Sequence, residues 1–110
     1  PFNTPQRLIE LHKARNFGRF VHPSLKDVPV GLLYDLDTTG GNSGSPLMNA
    51  RGELVGVNFD RTFEGTVNDY AWSSGYSRSI VVYIRYVLWV TEKCGGGGYL
   101  LQEMGVQGSP

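Results

Sequence analysis

One cysteine, Cys94, stands among 110 residues, so no disulfide and no cysteine-built zinc site can form within the chain. Histidine is nearly as scarce. His12 and His22 are the only two, their separation matches no metal-ligand spacing, and each reads as a surface residue. Neither sign of charge is in excess: ten Lys and Arg face ten Asp and Glu. That balance argues against bulk binding to nucleic acid or anionic membranes. No long hydrophobic run is present either. Ile80 to Val90 is apolar but short, and Arg85 interrupts it, so it reads as core rather than as a membrane span. A Met start and a secretory leader are also missing. The chain opens on Pro1-Phe2-Asn3 and reads as an excised piece of a longer protein.

What the chain has in quantity is glycine, with 15 Gly beside 6 Pro and 40% hydrophobic residues. Such a balance suits one small, loop-rich, mainly β domain. The glycines gather most usefully in Thr38-Thr39-Gly40-Gly41-Asn42-Ser43-Gly44-Ser45-Pro46. Strand-like runs lie on both sides, Val30 to Leu36 before and Pro46 to Met48 after. A Gly-built loop between strands exposes backbone N–H groups and presents one side chain at its tip.

Two readings fit that loop. In one, Ser43 is a nucleophile, and the N–H groups of Gly41 and Ser43 converge in front of its hydroxyl as an oxyanion hole for acyl transfer. In the other it is an ordinary Gly/Ser turn. Rival motifs fail on spacing. A phosphate-binding P-loop needs a Lys-Ser or Lys-Thr pair after its last Gly. The elbow of the α/β hydrolases needs Gly where Ser45 stands.

The remaining pattern predicts a helix over Pro5 to Asn16, capped by Thr4 and stopped near Gly18. A polar loop follows from Phe17 to Asp27, then a mostly buried strand from Val28 to Asp35. Ser45 to Met48 and Glu53 to Phe59 form a hairpin around the turn Asn49-Ala50-Arg51-Gly52. Asp60 to Ser77 reads as a long binding loop with Phe63, Tyr70, Trp72 and Tyr76. Arg78 to Val82 is a strand, Ile84 to Lys93 a helix, and Tyr99 to Met104 a short helical turn. The four glycines from Gly95 to Gly98 are a hinge or a helix stop, since no strand precedes them as in a phosphate loop. Residues 105–110 form a tail.

Several motifs in order carry a resemblance. Thr39-Gly40-Gly41-Asn42-Ser43-Gly44-Ser45-Pro46, Gly52-Glu53-Leu54-Val55-Gly56, Phe59-Asp60 and Ile84-Arg85-Tyr86-Val87-Leu88-Trp89 resemble the C-terminal part of the bacterial dipeptidyl peptidases 7 and 11. These are serine exopeptidases with a chymotrypsin-like double β-barrel and an inserted helical domain. The resemblance implies that residues 1–104 are part of the second β-barrel of a chymotrypsin-like (trypsin-like) catalytic domain, flanked by an N-terminal and a C-terminal helix. It makes Ser43 the nucleophile and the Gly41 and Ser43 N–H groups the oxyanion hole. Asp60 falls where the family anchors the substrate's N-terminal amine, and an ammonium there needs a fixed counter-charge. Arg61 falls in the pocket for the residue before the cut bond. Gly is typical there in the apolar-preferring 7 type and Arg in the 11 type. A guanidinium can pair bidentately with an Asp or Glu side chain.

The resemblance implies no metal or cofactor. The partners it implies are peptides with a free N-terminus and a second copy of the full-length protein, with no nucleic acid. The location it implies is the periplasm or cell surface of a bacterium. The His base and its orienting Asp would lie far upstream, in the remainder of the parent chain, so this piece alone is expected to be inactive. The alternatives are a non-catalytic peptide-binding or structural piece, or a 7-type peptidase with apolar preference. An endopeptidase of the same fold is disfavoured by Asp60-Arg61. Two positions depart from the family pattern: Tyr83 stands where an acidic residue usually precedes Ile-Arg-Tyr, and Cys94 with Gly95 to Gly98 replaces a small-residue stretch.

Overall fold

The computed structural model describes residues 3–62, 71, 73, 75 and 77–106. The aromatics of the anticipated binding loop, Phe63, Tyr70, Trp72 and Tyr76, lie outside those residues, as does the tail from 107 onward. The chain divides into two compact units, one of residues 1–29 and 85–110, the other of Val30–Ile84. Mainly β describes only the second; the first is helical.

The helical unit begins with α1, Gln6–Lys13. Pro5, not Thr4, is the residue before the first turn, and no side chain caps it. A proline's fixed φ already points the chain into a helix, which makes a hydroxyl cap dispensable. The helix also ends early. Ala14 caps it, and Arg15 turns to a φ of 50°, so the stop falls before Gly18. A 3-10 turn, Gly18–Phe20, follows within the stretch read as a polar loop. Phe17 and Phe20 are in fact buried, beside Leu11, Val28, Trp89 and Leu101. Phe17 meets the Trp89 ring edge-on at 5.4 Å, a favoured aromatic geometry. Trp89 Nε1 donates to the Asn16 carbonyl at 2.8 Å, satisfying the indole's one polar atom.

The helix anticipated over Ile84 to Lys93 is two elements: α2, Ile84–Trp89, and a π-helical turn, Val90–Cys94. Gly95 N–H reaches back to the Val90 carbonyl, and the Thr91 hydroxyl donates to the Val87 carbonyl. The widened turn ends at Gly95; two residues on, at Gly97, a Cβ would lie 2.9 Å from Thr91 Cγ2. Helix α3 is Gly98–Glu103. Cys94 is a free, half-buried thiol packed against the core.

The second unit is a four-stranded antiparallel sheet of β1, Gly31–Tyr34; β2, Pro46–Met48; β3, Leu54–Arg61; and β4, Ser79–Tyr83, in the order β1-β4-β3-β2. Strand β1 is shorter than Val28 to Asp35 and alternates exposed with half-buried residues rather than being mostly buried. It lies at the edge of the sheet, so Leu33 stays 61% exposed. The β2–β3 turn forms as anticipated: Gly52 N–H donates to Asn49 O, and Asn49 N–H to Glu53 O. Gly56 is required by packing. A Cβ there would lie 2.5 Å from the Val82 carbonyl oxygen of β4, far inside contact distance.

One irregularity decides what this sheet can present. Between β3 and β4, Asn58 faces Val81, yet Asp60 faces Ile80 and Arg61 faces Ser79. Phe59 is the extra residue of a β-bulge. In a regular strand, residues three apart point to opposite sides. Val81 and Ser79 share a face, so their partners Asn58 and Arg61 share it too. The bulge therefore re-aims Arg61 to the side that Asn58 already occupies.

Candidate functional site

The loop between β1 and β2 is fastened by glycine turns and by hydrogen bonds of its own. Gly41 and Gly44 have φ values of 101° and 88°, a region costly for residues with a Cβ. Asn42 ties the loop to itself. Its Oδ1 accepts from Thr39 N–H at 2.7 Å, its N–H donates to Thr39 O, and its O accepts from Ser45 N–H. Ser43 is exposed. The N–H groups of Asn42, Gly44 and Ser45 are all spent inside the protein. Among the described residues, those of Gly41 and Ser43 are not.

Strand β3 forms the other wall. Asp60 and Arg61 were read as the start of a long loop; they are the last paired residues of β3. Asp60 Oδ1 accepts the Arg61 backbone N–H at 2.8 Å, and the Arg61 guanidinium makes a long 3.5 Å contact to the Thr38 carbonyl. Thr38 is anchored in turn. Ser79, fully buried on β4, donates its hydroxyl to the Leu36 carbonyl at 3.1 Å. It is therefore the Thr38 hydroxyl that donates to Ser79 Oγ, at 2.6 Å.

These walls enclose a cleft of about 150 Å³ lined by Thr38, Thr39, Gly40, Ser43, Asn58, Phe59, Asp60 and Arg61. Three of the four anticipated site residues, Ser43, Asp60 and Arg61, thus meet in one cavity. Gly41 is not among its lining residues. A hydroxyl, a carboxylate and a guanidinium in a cleft of this size can seat a short polar ligand of mixed charge. Among the described residues no group of three or more His, Cys, Asp or Glu is placed to hold a metal ion. The two histidines belong to the helical unit and have local roles there. His12 lies 6.2 Å from the Phe17 ring, and His22 Nδ1 accepts the N–H groups of Ser24 and Leu25.

Asn58, Tyr34, Thr38 and Ser79 escaped the sequence reading. Asn58 is 5% exposed. Its Nδ2 donates to Asn42 O at 3.1 Å and its Oδ1 accepts from the Tyr34 hydroxyl at 2.6 Å. Burial raises the Tyr34 phenol above its ordinary value, partly offset by the Ser79 hydroxyl; Tyr34 therefore stays a donor at neutral pH. The available signal was an Asn inside the apolar run Val55-Gly56-Val57-Asn58-Phe59, where a buried amide demands partners.

Known proteins supply the last observation. The family profile described as Peptidase S46 matches residues 1–106. The chain is 47% identical over 105 residues to the Asp/Glu-specific dipeptidyl-peptidase of Porphyromonas gingivalis, covering 96% of this chain and 14% of that protein. It is 44% identical over 103 residues to dipeptidyl-peptidase 7 of Phocaeicola vulgatus, covering 94% and 14%. It also superposes on the crystal structure of Porphyromonas endodontalis DPP11 in complex with substrate, with a TM-score of 0.91 and 42% identity, over 96% of this chain and 15% of that one. The chain thus spans about one seventh of the length of these relatives.

Proposed function

The chain belongs to the peptidase S46 family, and on that premise we propose that the full-length protein is a serine dipeptidyl peptidase releasing N-terminal dipeptides with Asp or Glu before the cut bond. The observation that carries the reading is the single cleft joining Ser43, Asp60 and Arg61. Each supplies one thing an acid-selective exopeptidase needs: a nucleophile, an anion for the substrate amine, and a guanidinium for the acidic side chain. The sheet is then part of a chymotrypsin-like second barrel, and residues 1–104 are one segment of the catalytic domain.

In this mechanism Ser43 Oγ attacks the carbonyl carbon of the second peptide bond. Its proton passes to an imidazole base supplied by the remainder of the full-length protein. The tetrahedral oxyanion is received by the N–H groups of Gly41 and Ser43, which no other described group uses. Collapse breaks the C–N bond, the leaving amine takes the proton, and water hydrolyses the acyl-enzyme. Because base and orienting carboxylate come from elsewhere, the 110-residue piece alone is inactive. In this proposal the full-length protein is a homodimer in the periplasm or at the cell surface.

The test is hydrolysis of chromogenic dipeptide substrates by the full-length protein. Ser43→Ala is expected to lower turnover by about four to six orders of magnitude. Retained activity would refute the nucleophile, and binding of acidic dipeptides without turnover by the native protein would favour a purely binding role.

A further inference from the structure

Ser43 is flanked by Asn42 and Gly44, and one buried residue grips both. The Asn58 side-chain Nδ2 donates to the Asn42 carbonyl at 3.1 Å, while its backbone carbonyl accepts from Gly44 N–H at 2.8 Å. Its backbone N–H also donates to Ser45 O at 2.8 Å. Three bonds from one residue thus close around the segment 42–45. A fourth, from the Tyr34 hydroxyl at 2.6 Å, orients the amide itself. That orientation is chemically determined: the Asn42 carbonyl can only accept, so the NH2 end must face it and the oxygen must face Tyr34. The residue is buried, at 5% exposure, where a lost partner is costly to replace.

Asn58 also belongs to β3, directly before the bulge that turns Arg61 to its own side of the sheet, and Asp60 and Arg61 both line the cleft. The residue that locks the nucleophile loop is therefore on the same short segment as the residues assigned to bind the substrate. We propose that Asn58 is a positioning residue for acyl transfer: it sets the place of Ser43 relative to a substrate held by Asp60 and Arg61, with Tyr34 as the group that orients it. This inference rests on the reading of Ser43 as nucleophile. A loop held through one amide is sensitive, because displacing a reacting group by about 1 Å costs roughly 100-fold in rate.

The experiment uses the full-length protein and a chromogenic dipeptide substrate with Asp before the scissile bond. Asn58→Asp keeps the size and the acceptor for Tyr34 but turns a carboxylate toward the Asn42 carbonyl. It is expected to lower kcat by about 100-fold, with KM changed less than about threefold because Asp60 and Arg61 remain. The rate of Ser43 labelling by a dipeptidyl phosphonate diester should fall in parallel. Tyr34→Phe, which removes one hydroxyl, is expected to lower kcat by about 10-fold with the same unchanged KM. A folded Asn58→Asp protein with kcat within about threefold of native would overturn the proposal. If that variant does not fold, Tyr34→Phe decides: unchanged kcat overturns it, a selective fall in kcat supports it. Ser43→Ala run alongside separates the two failures. Activity retained there refutes the nucleophile itself, whereas its loss together with native kcat in Asn58→Asp refutes only the positioning role.

Discussion

Around Trp89 the buried side chains are apolar: Leu11, Phe17, Phe20, Val28 and Leu101. In the sheet unit, the buried side chains among the described residues are Asn58, Ser77 and Ser79 beside Val81. Apolar contacts are tolerant of direction and reward area. Hydrogen bonds reward geometry, and a buried amide or hydroxyl left without a partner costs about 1–3 kcal/mol. The helical unit is thus held by packing. The sheet unit uses its interior to fix the positions of loop carbonyls and N–H groups, at Asn42, Gly44, Leu36 and Thr38. The contrast teaches that the region carrying the cleft trades some burial of hydrocarbon for positional definition.

Substitutions can break that comparison, and the largest effect is expected from packing. In the full-length protein, Trp89→Ala should destabilise by about 3–5 kcal/mol, seen as a fall in thermal midpoint. The proposed preference for acidic over apolar dipeptides should be unchanged. Next comes Gly56→Ala, which forces a methyl against the Val82 carbonyl and should cost about 1–3 kcal/mol by the same measurement. Ser79→Ala should cost about 1–2 kcal/mol, but unlike Trp89→Ala it should also weaken the acidic preference, because Thr38 loses its anchor beside Arg61.

The smallest effect concerns the exposed β2–β3 turn. There the Asn49 amide, then Arg51 by hydrogen bond and charge, hold the Glu53 carboxyl below its ordinary value. A lowered carboxyl pKa adds stability above the unfolded value and loses it as pH falls through the folded one. Glu53→Gln should therefore lower the thermal midpoint slightly near neutrality, and the gap to native should close in acid.

What was legible in the sequence follows the same division. Local backbone chemistry announces itself, so the Asn49 to Gly52 turn and the Gly-built loop at Ser43 were readable from a few neighbouring residues. Phe17 and Phe20 were not, because two aromatics in a polar stretch have no periodicity to reveal that they pack on Trp89. Asn58 was missed for a different reason. Its role depends on Tyr34 and on residues 42–45, which lie far from it in sequence and meet it only in the folded sheet; an Asn in an apolar run signals that partners exist, not which they are. The bulge at Phe59 explains why Asp60 and Arg61 were assigned to a loop although they end a strand. The early end of α1 shows how a capping residue and a left-handed Arg15 can override a helical pattern that continues to Asn16.

The central claim is that one cleft reads an acidic side chain through Arg61 beside the Ser43 nucleophile. Its most direct test is the ratio of kcat/KM for a dipeptide substrate with Asp before the scissile bond to that for one with Leu there, in native full-length protein and in Arg61→Gly. The account predicts a native ratio well above one and a fall of about 30-fold or more in the variant. Equal ratios in the two proteins would contradict it.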